Sequence, residues 1–186
     1  MIELRIVVAS TRPVRLGPTI ADWVRNSVPG DVFAVEVIDL AELALPFLDE
    51  PQMPSSGVHT KAHTLRWKAL VDAADAMVVV MPEYNGSFNA PLKNAIDYLY
   101  AEWHDLPVAL VGYGHRGAAG AMEALGVVLR RVKARQVEGV SLFLRTHIED
   151  GVVRPDAQVL GAAGRMFEAL REAVEAPDSA GEGPSV

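Results

Sequence analysis

Residues 77–103 read MVVVMPEYNGSFNAPLKNAIDYLYAEW, and few folds accommodate such a run. Its first five residues are apolar and valine-rich, which fits a strand buried on both faces. Pro82 ends that strand, because proline cannot donate to a sheet ladder. Glu83-Tyr84-Asn85-Gly86-Ser87 then makes a loop with two residues suited to left-handed backbone. A helix follows, with Asn89 as its cap and Pro91 in its first turn. Leu92, Ala95, Ile96, Leu99 and Trp103 recur on one face of it. That helix rules out a hairpin through Asn85-Gly86. The loop amides are left free, since neither ladder nor helix uses them, and the corner is suited to a ligand.

The rest of the chain repeats this alternation. An apolar strand over 3–9 leads through residues 10–19, STRPVRLGPT, into a helix carrying Ile20, Trp23, Val24 and Val28. A second strand is expected over 32–40, with Phe33, Val35 and Val37 opposed to Glu36 and Asp39. A helix over 61–74 follows, built on Leu65, Leu70 and Val71. Further strands are expected over 108–111 and 137–144, with helices over about 118–133 and 156–174 and a turn or short hairpin over 148–152. Residues 46–58, PFLDEPQMPSSGV, are too proline-rich for regular structure, and a loop this long inside a domain is usually functional or disordered. Residues 1–176 are read as one domain and 177–186, which lack apolar periodicity, as a disordered tail.

Strands alternating with helices imply a parallel sheet covered on both faces. With right-handed crossovers, the expected architecture is a three-layer, doubly wound, flavodoxin-like domain with five parallel strands in the order 2-1-3-4-5. Ligands bind such sheets where the winding reverses, between strands 1 and 3. The two most unusual loops, 10–19 and 82–87, follow those two strands.

Composition narrows the partners. The chain has 186 residues, half of them hydrophobic, so it can remove roughly 70% of its unfolded surface from water. It has no cysteine, which excludes disulfides, thiolate metal sites and thiol nucleophiles. A net charge of −7 argues against nucleic acid. No apolar run approaches the ~20 residues of a membrane span. The expectation is a soluble cytoplasmic protein with no membrane or nucleic-acid partner.

The first loop places Ser10, Arg12, Arg15 and a glycine ahead of a helix. Free amides and the macrodipole at that helix start favour an anion, to which both arginines would add charged hydrogen bonds. The GxxxxGK[ST] pattern is absent, so the loop suits a terminal phosphate monoester; a surface turn with two solvated arginines is an equal alternative. In the second loop, amides of residues 83–87 can meet a flat polar ring edge, Gly86 permits close approach, and Tyr84 can stack. A phosphate site and a planar polar site, about one ribityl chain apart, describe FMN.

Ser10-Thr11-Arg12, then Pro82-Glu83-Tyr84-Asn85 with Leu92-Lys93-Asn94-Ala95-Ile96-Asp97, then Gly112-Tyr113-Gly114, resemble the NADPH-dependent FMN reductase family of flavodoxin-like proteins. The likeness runs over roughly residues 4–170 and includes Trp67. It implies FMN as cofactor, NADPH or NADH as co-substrate, and an acceptor such as flavin, a quinone or an azo compound. By that resemblance Ser10, Arg12 and Arg15 hold the FMN phosphate, with Thr19 at the helix start. Pro82, Glu83, Tyr84, Asn85 and Gly86 line the isoalloxazine, and Tyr113 with Gly114 borders its other side. No catalytic side chain is implied, because the cofactor carries the chemistry. The resemblance also implies a homodimer or homotetramer whose second subunit helps cover the flavin, with the 46–58 loop and Trp103 as candidate contacts. Ala9 stands where the family commonly has glycine, and Gly112 where it has serine.

Rival signals rank lower. Gly112-Tyr113-Gly114-His115-Arg116-Gly117 matches the GxGxxG fingerprint, but that motif normally opens the first βαβ unit. A receiver domain needs an aspartate where Pro82 stands. A non-enzymatic flavoprotein electron carrier, reduced by a partner, is the alternative function. His59 and His63 read as surface residues, since no carboxylate falls in helical register with them. His115 and Arg116 read as exposed loop residues, with contact to the nicotinamide nucleotide as the second reading. His147, Glu149 and Asp150 read as a polar turn.

Overall fold

The computed structural model describes residues 1–176; the expected tail at 177–186 lies outside them. The elements run β1 (Ile2–Val8), α1 (Gly17–Ser27), β2 (Phe33–Asp39), α2 (Leu40–Leu43), α3 (Ala62–Asp72), β3 (Ala76–Pro82), α4 (Ala90–Asp97), β4 (Pro107–Gly114) and α5 (Ala119–Arg131). They continue with β5 (Arg135–Gln136), β6 (Val140–Phe143), α6 (Leu144–His147), β7 (Ile148–Glu149), β8 (Val152–Val153) and α7 (Ala157–Glu175). The main sheet is parallel in the order β2-β1-β3-β4-β5, with β6 also on β4. This is the flavodoxin-like order. The fifth strand is broken in two, and between its pieces Gly139 passes so close to the backbone of β4 that a Cβ would lie 2.3 Å from the Leu110 carbonyl oxygen.

Alternate residues of each central strand enter opposite cores. Ile20 and Val24 of α1, with Met166, Phe167 and Leu170 of α7, cover Leu4, Ile6, Val78, Val80 and Val111. On the other face Trp67, Val71, Leu92, Ile96, Leu125 and Leu129 cover Val7, Met77, Val79, Val108 and Leu110. Every residue of β3 and β4 is buried, which is why both read as continuous apolar runs.

Several local expectations change. The inward stripe of α3 is Thr64, Trp67 and Val71, while Leu65 is half exposed. Val37 faces solvent because β2 is an edge strand. Helix α4 stops at Asp97, and Trp103 reaches the core from a short 3₁₀ turn. Its indole N–H donates to the Ile96 carbonyl and its ring packs on Trp67, so Trp103 is no subunit contact. The histidines are not free surface residues: His63 meets Asp49 at 2.8 Å, and the buried His59 ring faces Glu102 at 3.4 Å. His147 is buried too. Its Nδ1 accepts from Phe143 N, and its Nε2 lies 3.4 Å from the Asp156 carboxylate that caps α7.

The 46–58 loop contains one 3₁₀ turn, Pro54–Ser56, despite its prolines. Asn94 fastens one end by donating to the Pro46 carbonyl and accepting from Leu48 N. Glu50 fastens the other by accepting from Thr60 N, the Thr60 hydroxyl and Lys61 N. Phe47, Met53 and Val58 project outward between these ties.

Candidate functional site

The carboxyl ends of β1, β3 and β4 open onto a cleft of about 340 Å³. It is lined by Arg12, Val14, Arg15 and Leu16 from the β1 loop, Pro82, Glu83 and Tyr84 from the β3 loop, Tyr113, Gly114 and His115 from β4 and its loop, and Leu144 of α6. Of the expected residues, Arg12, Arg15, Pro82, Glu83, Tyr84, Tyr113 and Gly114 converge here from three separate segments, while Ser10, Thr19, Asn85 and Gly86 lie outside the lining. Leu144 had no local signal, since only the packing of β6 on β4 brings it to the cleft.

At the floor of the first loop, Ser10 is fully buried; its hydroxyl lies near the Tyr113 phenol but has no partner in hydrogen-bonding geometry among the described residues. It packs on the start of α1 so closely that a Cβ on Gly17 would sit 2.2 Å from Ser10 Oγ. The first intrahelical amide is Ile20 N, which donates to the Leu16 carbonyl, so the Gly17 and Thr19 amides lack helix acceptors. An orphaned buried hydroxyl beside open helix amides is a cradle suited to an oxyanion. The Thr19 side chain itself does not line the cleft.

The two arginines differ. Arg12 is exposed and forms no ion pair among the described residues, so its guanidinium is available. Arg15 grips Asp39 with both arms, at 2.8 and 2.6 Å, and donates to the Ser10 carbonyl at 2.8 Å. The hydrogen bond to Asp39 raises the Arg15 pKa further, against the smaller opposing effect of burial. Arg15 therefore reaches the cleft as a brace of its loop.

The β3 loop also departs from expectation. Tyr84 N donates to the Ser87 carbonyl at 2.8 Å and Ser87 N returns the bond at 3.0 Å. Asn85 and Gly86 between them have φ of 53° and 76°. This is a two-residue hairpin turn, compact enough to precede α4, so the following helix did not exclude it. The turn engages the Tyr84 and Ser87 amides that were expected to be free, and Glu83 N donates to the Tyr113 carbonyl. Asn85 and Gly86 form the tip, outside the cleft lining. The Glu83 carboxylate accepts from Ala121 N in α5 at 3.1 Å.

Tyr113 spans the two halves. Burial pushes its phenol up to about 12, opposed by the neighbouring Ser10 hydroxyl and by the charges of Arg15 and Arg12. Asn89 does not cap α4 with its side chain; its Nδ2 donates to the Ala9 carbonyl at 2.6 Å, fastening the helix to the end of β1. The glycine at 112 is required by packing, since a Cβ there would lie 2.8 Å from that of Ala118.

Residues 2–148 match the NADPH-dependent FMN reductase family. An NAD(P)H-dependent FMN reductase of Schizosaccharomyces pombe is 35% identical over 91% of this chain and 88% of its own length. An NADPH azoreductase of a Bacillus species is 31% identical over 84% and 86%. Among solved structures, the flavoenzyme NAD(P)H:(acceptor) oxidoreductase FerB of Paracoccus denitrificans superposes with a TM-score of 0.73, at 23% identity, over 95% of this chain and 99% of its own. That likeness speaks to the fold, and the sequence matches carry the descent. With its cleft at the switch point and a family match that runs across all three loops, residues 2–148, the chain belongs to the NADPH-dependent FMN reductase family.

Proposed function

We propose that this enzyme passes reducing equivalents from NADPH or NADH, through FMN bound in the switch-point cleft, to a small acceptor such as free flavin, a quinone or an azo compound. The observation that carries the reading is the orphaned Ser10 hydroxyl facing the open amides of α1. Ser10, Arg12 and the α1 N-terminus would hold the phosphate, with Arg15 bracing the loop and Thr19 contributing its amide. Pro82, Glu83, Tyr84, Tyr113 and Gly114 would wall the ring, with Asn85 and Gly86 shaping the turn. When bound, FMN supplies the hydride-accepting and electron-donating chemistry. The protein binds it, aligns both substrates against it and restricts water. Tyr113, neutral at ordinary pH, offers a hydroxyl between the two halves without adding charge.

The test is reconstitution with FMN, followed by anaerobic mixing with each nucleotide and then a panel of flavin, quinone and azo acceptors. Bleaching of the flavin absorbance and its return on adding acceptor are expected. Flavin that binds but is reduced by neither nucleotide would favour an electron carrier served by another protein.

The enzyme is further read as a homo-oligomer. Phe47 is 87% exposed beside a cavity of about 440 Å³ lined by Leu40, Ala44, Leu45, Ala90 and Pro91. A large bare aromatic next to an apolar hollow suits a self-complementary two-fold contact. Sedimentation of the wild type and of Phe47→Asp checks it, with a shift to monomer expected in the variant. No helix among the described residues is long and apolar enough to cross a membrane.

A further inference from the structure

Helix α5 has no side-chain cap of its own. The residue before it, Ala118, is in left-handed backbone at φ 60°, and the first intrahelical bond comes only at Met122 N. Ala119, Gly120 and Ala121 therefore present amides without helix acceptors, at the positive end of a 13-residue helix dipole. The cap arrives from 38 residues upstream, as the Glu83 carboxylate on Ala121 N at 3.1 Å. The contact is built into the packing on both sides. A Cβ on Gly120 would lie 2.7 Å from the Gly86 carbonyl oxygen and 3.3 Å from Glu83 Oε2, and one on Gly114 would lie 3.2 Å from Glu83 Cβ. Glu83 also lines the cleft together with Tyr84, Tyr113 and Gly114.

We infer that Glu83 sets the midpoint potential of the bound flavin, holding it low by cancelling the positive end of α5, which packs directly behind the cleft-lining Glu83 and Gly114. The inference rests on the reading of the cleft as a flavin site. Reduction adds two electrons to the ring system, so the reduced form carries more negative charge whenever fewer than two protons accompany them. A bare helix N-terminus beside the ring would favour that form. A carboxylate sitting on the terminus removes the advantage and adds a negative charge of its own. The oxidised cofactor is thereby favoured relative to the reduced one, which eases transfer onward to the acceptor. The effect is electrostatic, and Glu83 needs no proton transfer to exert it.

The test compares reconstituted wild type with Glu83→Gln, which keeps an oxygen to accept from Ala121 N while losing the charge. Glu172→Gln, on the exposed side of α7, controls for the change in net charge. Anaerobic titration against a reference dye should show the Glu83→Gln couple favouring the reduced form about tenfold more than wild type, a rise of about 30 mV for a two-electron couple. The control should not move. An unchanged potential in a variant that still binds FMN would overturn the inference. Loss of FMN from Glu83→Gln would also overturn it, making the residue a scaffold only. Failure of the wild type to bind FMN would instead refute the flavin reading itself.

Discussion

Arg15 and Asp39 form a two-pronged ion pair, Nη1 to Oδ1 at 2.8 Å and Nη2 to Oδ2 at 2.6 Å, that ties the β1 loop to the end of β2. Asp39 Oδ1 also accepts from Ala41 N and so caps α2. One carboxylate thereby fixes a loop, an edge strand and a short helix. Both partners are mostly buried, so removing one leaves the other without its counter-charge. Asp39→Ala is expected to destabilise the protein by about 1.5–3 kcal/mol, as for hydrogen bonds to charged groups. Urea denaturation measures that loss. FMN titration should show weakened binding as well, because the Ser10 carbonyl loses its brace; unchanged affinity would separate the clamp from the cradle.

Arg12 has no such partner among the described residues, which leaves its guanidinium available to the proposed phosphate. Arg12→Ala is expected to weaken FMN binding by about 1.5–3 kcal/mol while leaving the denaturation midpoint of the cofactor-free protein unchanged. Fluorescence titration of FMN checks the first part. A variant that binds FMN as tightly as wild type would remove Arg12 from the site.

Gly17 is needed for closeness, and a methyl group there must displace both the Ser10 hydroxyl and the Val8 side chain. Gly17→Ala is expected to bind FMN at least tenfold more weakly. Its thermal midpoint, measured without cofactor, should fall by only a few degrees, since alanine is the better helix former. Equal affinities for the two proteins would mean that Ser10 does not face the phosphate.

Two phenols make the alkaline limb of stability steep. Burial pushes both Tyr98 and Tyr113 up to about 12, with Asp49 adding to the rise at Tyr98. Unfolded tyrosines ionise near 10, so between about 10 and 12 the unfolded chain has lost protons that the folded chain keeps, and stability falls as pH rises. Glu50 acts at the other end. Desolvation raises its pKa, but the Lys61 amide, the Thr60 and Thr64 hydroxyls and the Thr60 amide outweigh it and hold the group at about 2. Its contribution is complete above about 4.5 and is lost as pH falls towards 2. Ultraviolet titration of the phenols and proteolysis of the 46–58 loop in acid report the two limbs separately. A folded protein in which all four phenols ionise together near 10 would contradict the burial of Tyr98 and Tyr113.

Much of this architecture is legible along the chain because the central strands are covered on both faces. Burial of that kind leaves a local mark, a valine-rich run bounded by proline or glycine, as at Met77–Met81 and Val108–Val111. The same holds for the loops around the cleft, since Ser10, Arg12, Pro82 and Tyr84 stand immediately beyond those strands. The face of α3 is not legible in the sequence, because Leu65 is as apolar as Trp67 and periodicity does not say which of two adjacent stripes meets the sheet. The hairpin turn at Asn85-Gly86 is hidden by the helix after it, because a two-residue turn needs almost no chain and α4 begins soon beyond it.

The order of its residues alone determines the alternating strands and helices, the parallel sheet, and the two unusual loops at the ends of β1 and β3, because each leaves a local pattern in the chain. Only the tertiary structure decided how the charged groups were used. Arg15 turned to Asp39 and Glu83 to the start of α5, while Arg12 forms no ion pair among the described residues. A side chain's partner is set by which distant segments come within about 3 Å, and hydrogen bonding falls off too steeply with distance and angle for sequence spacing to reveal it.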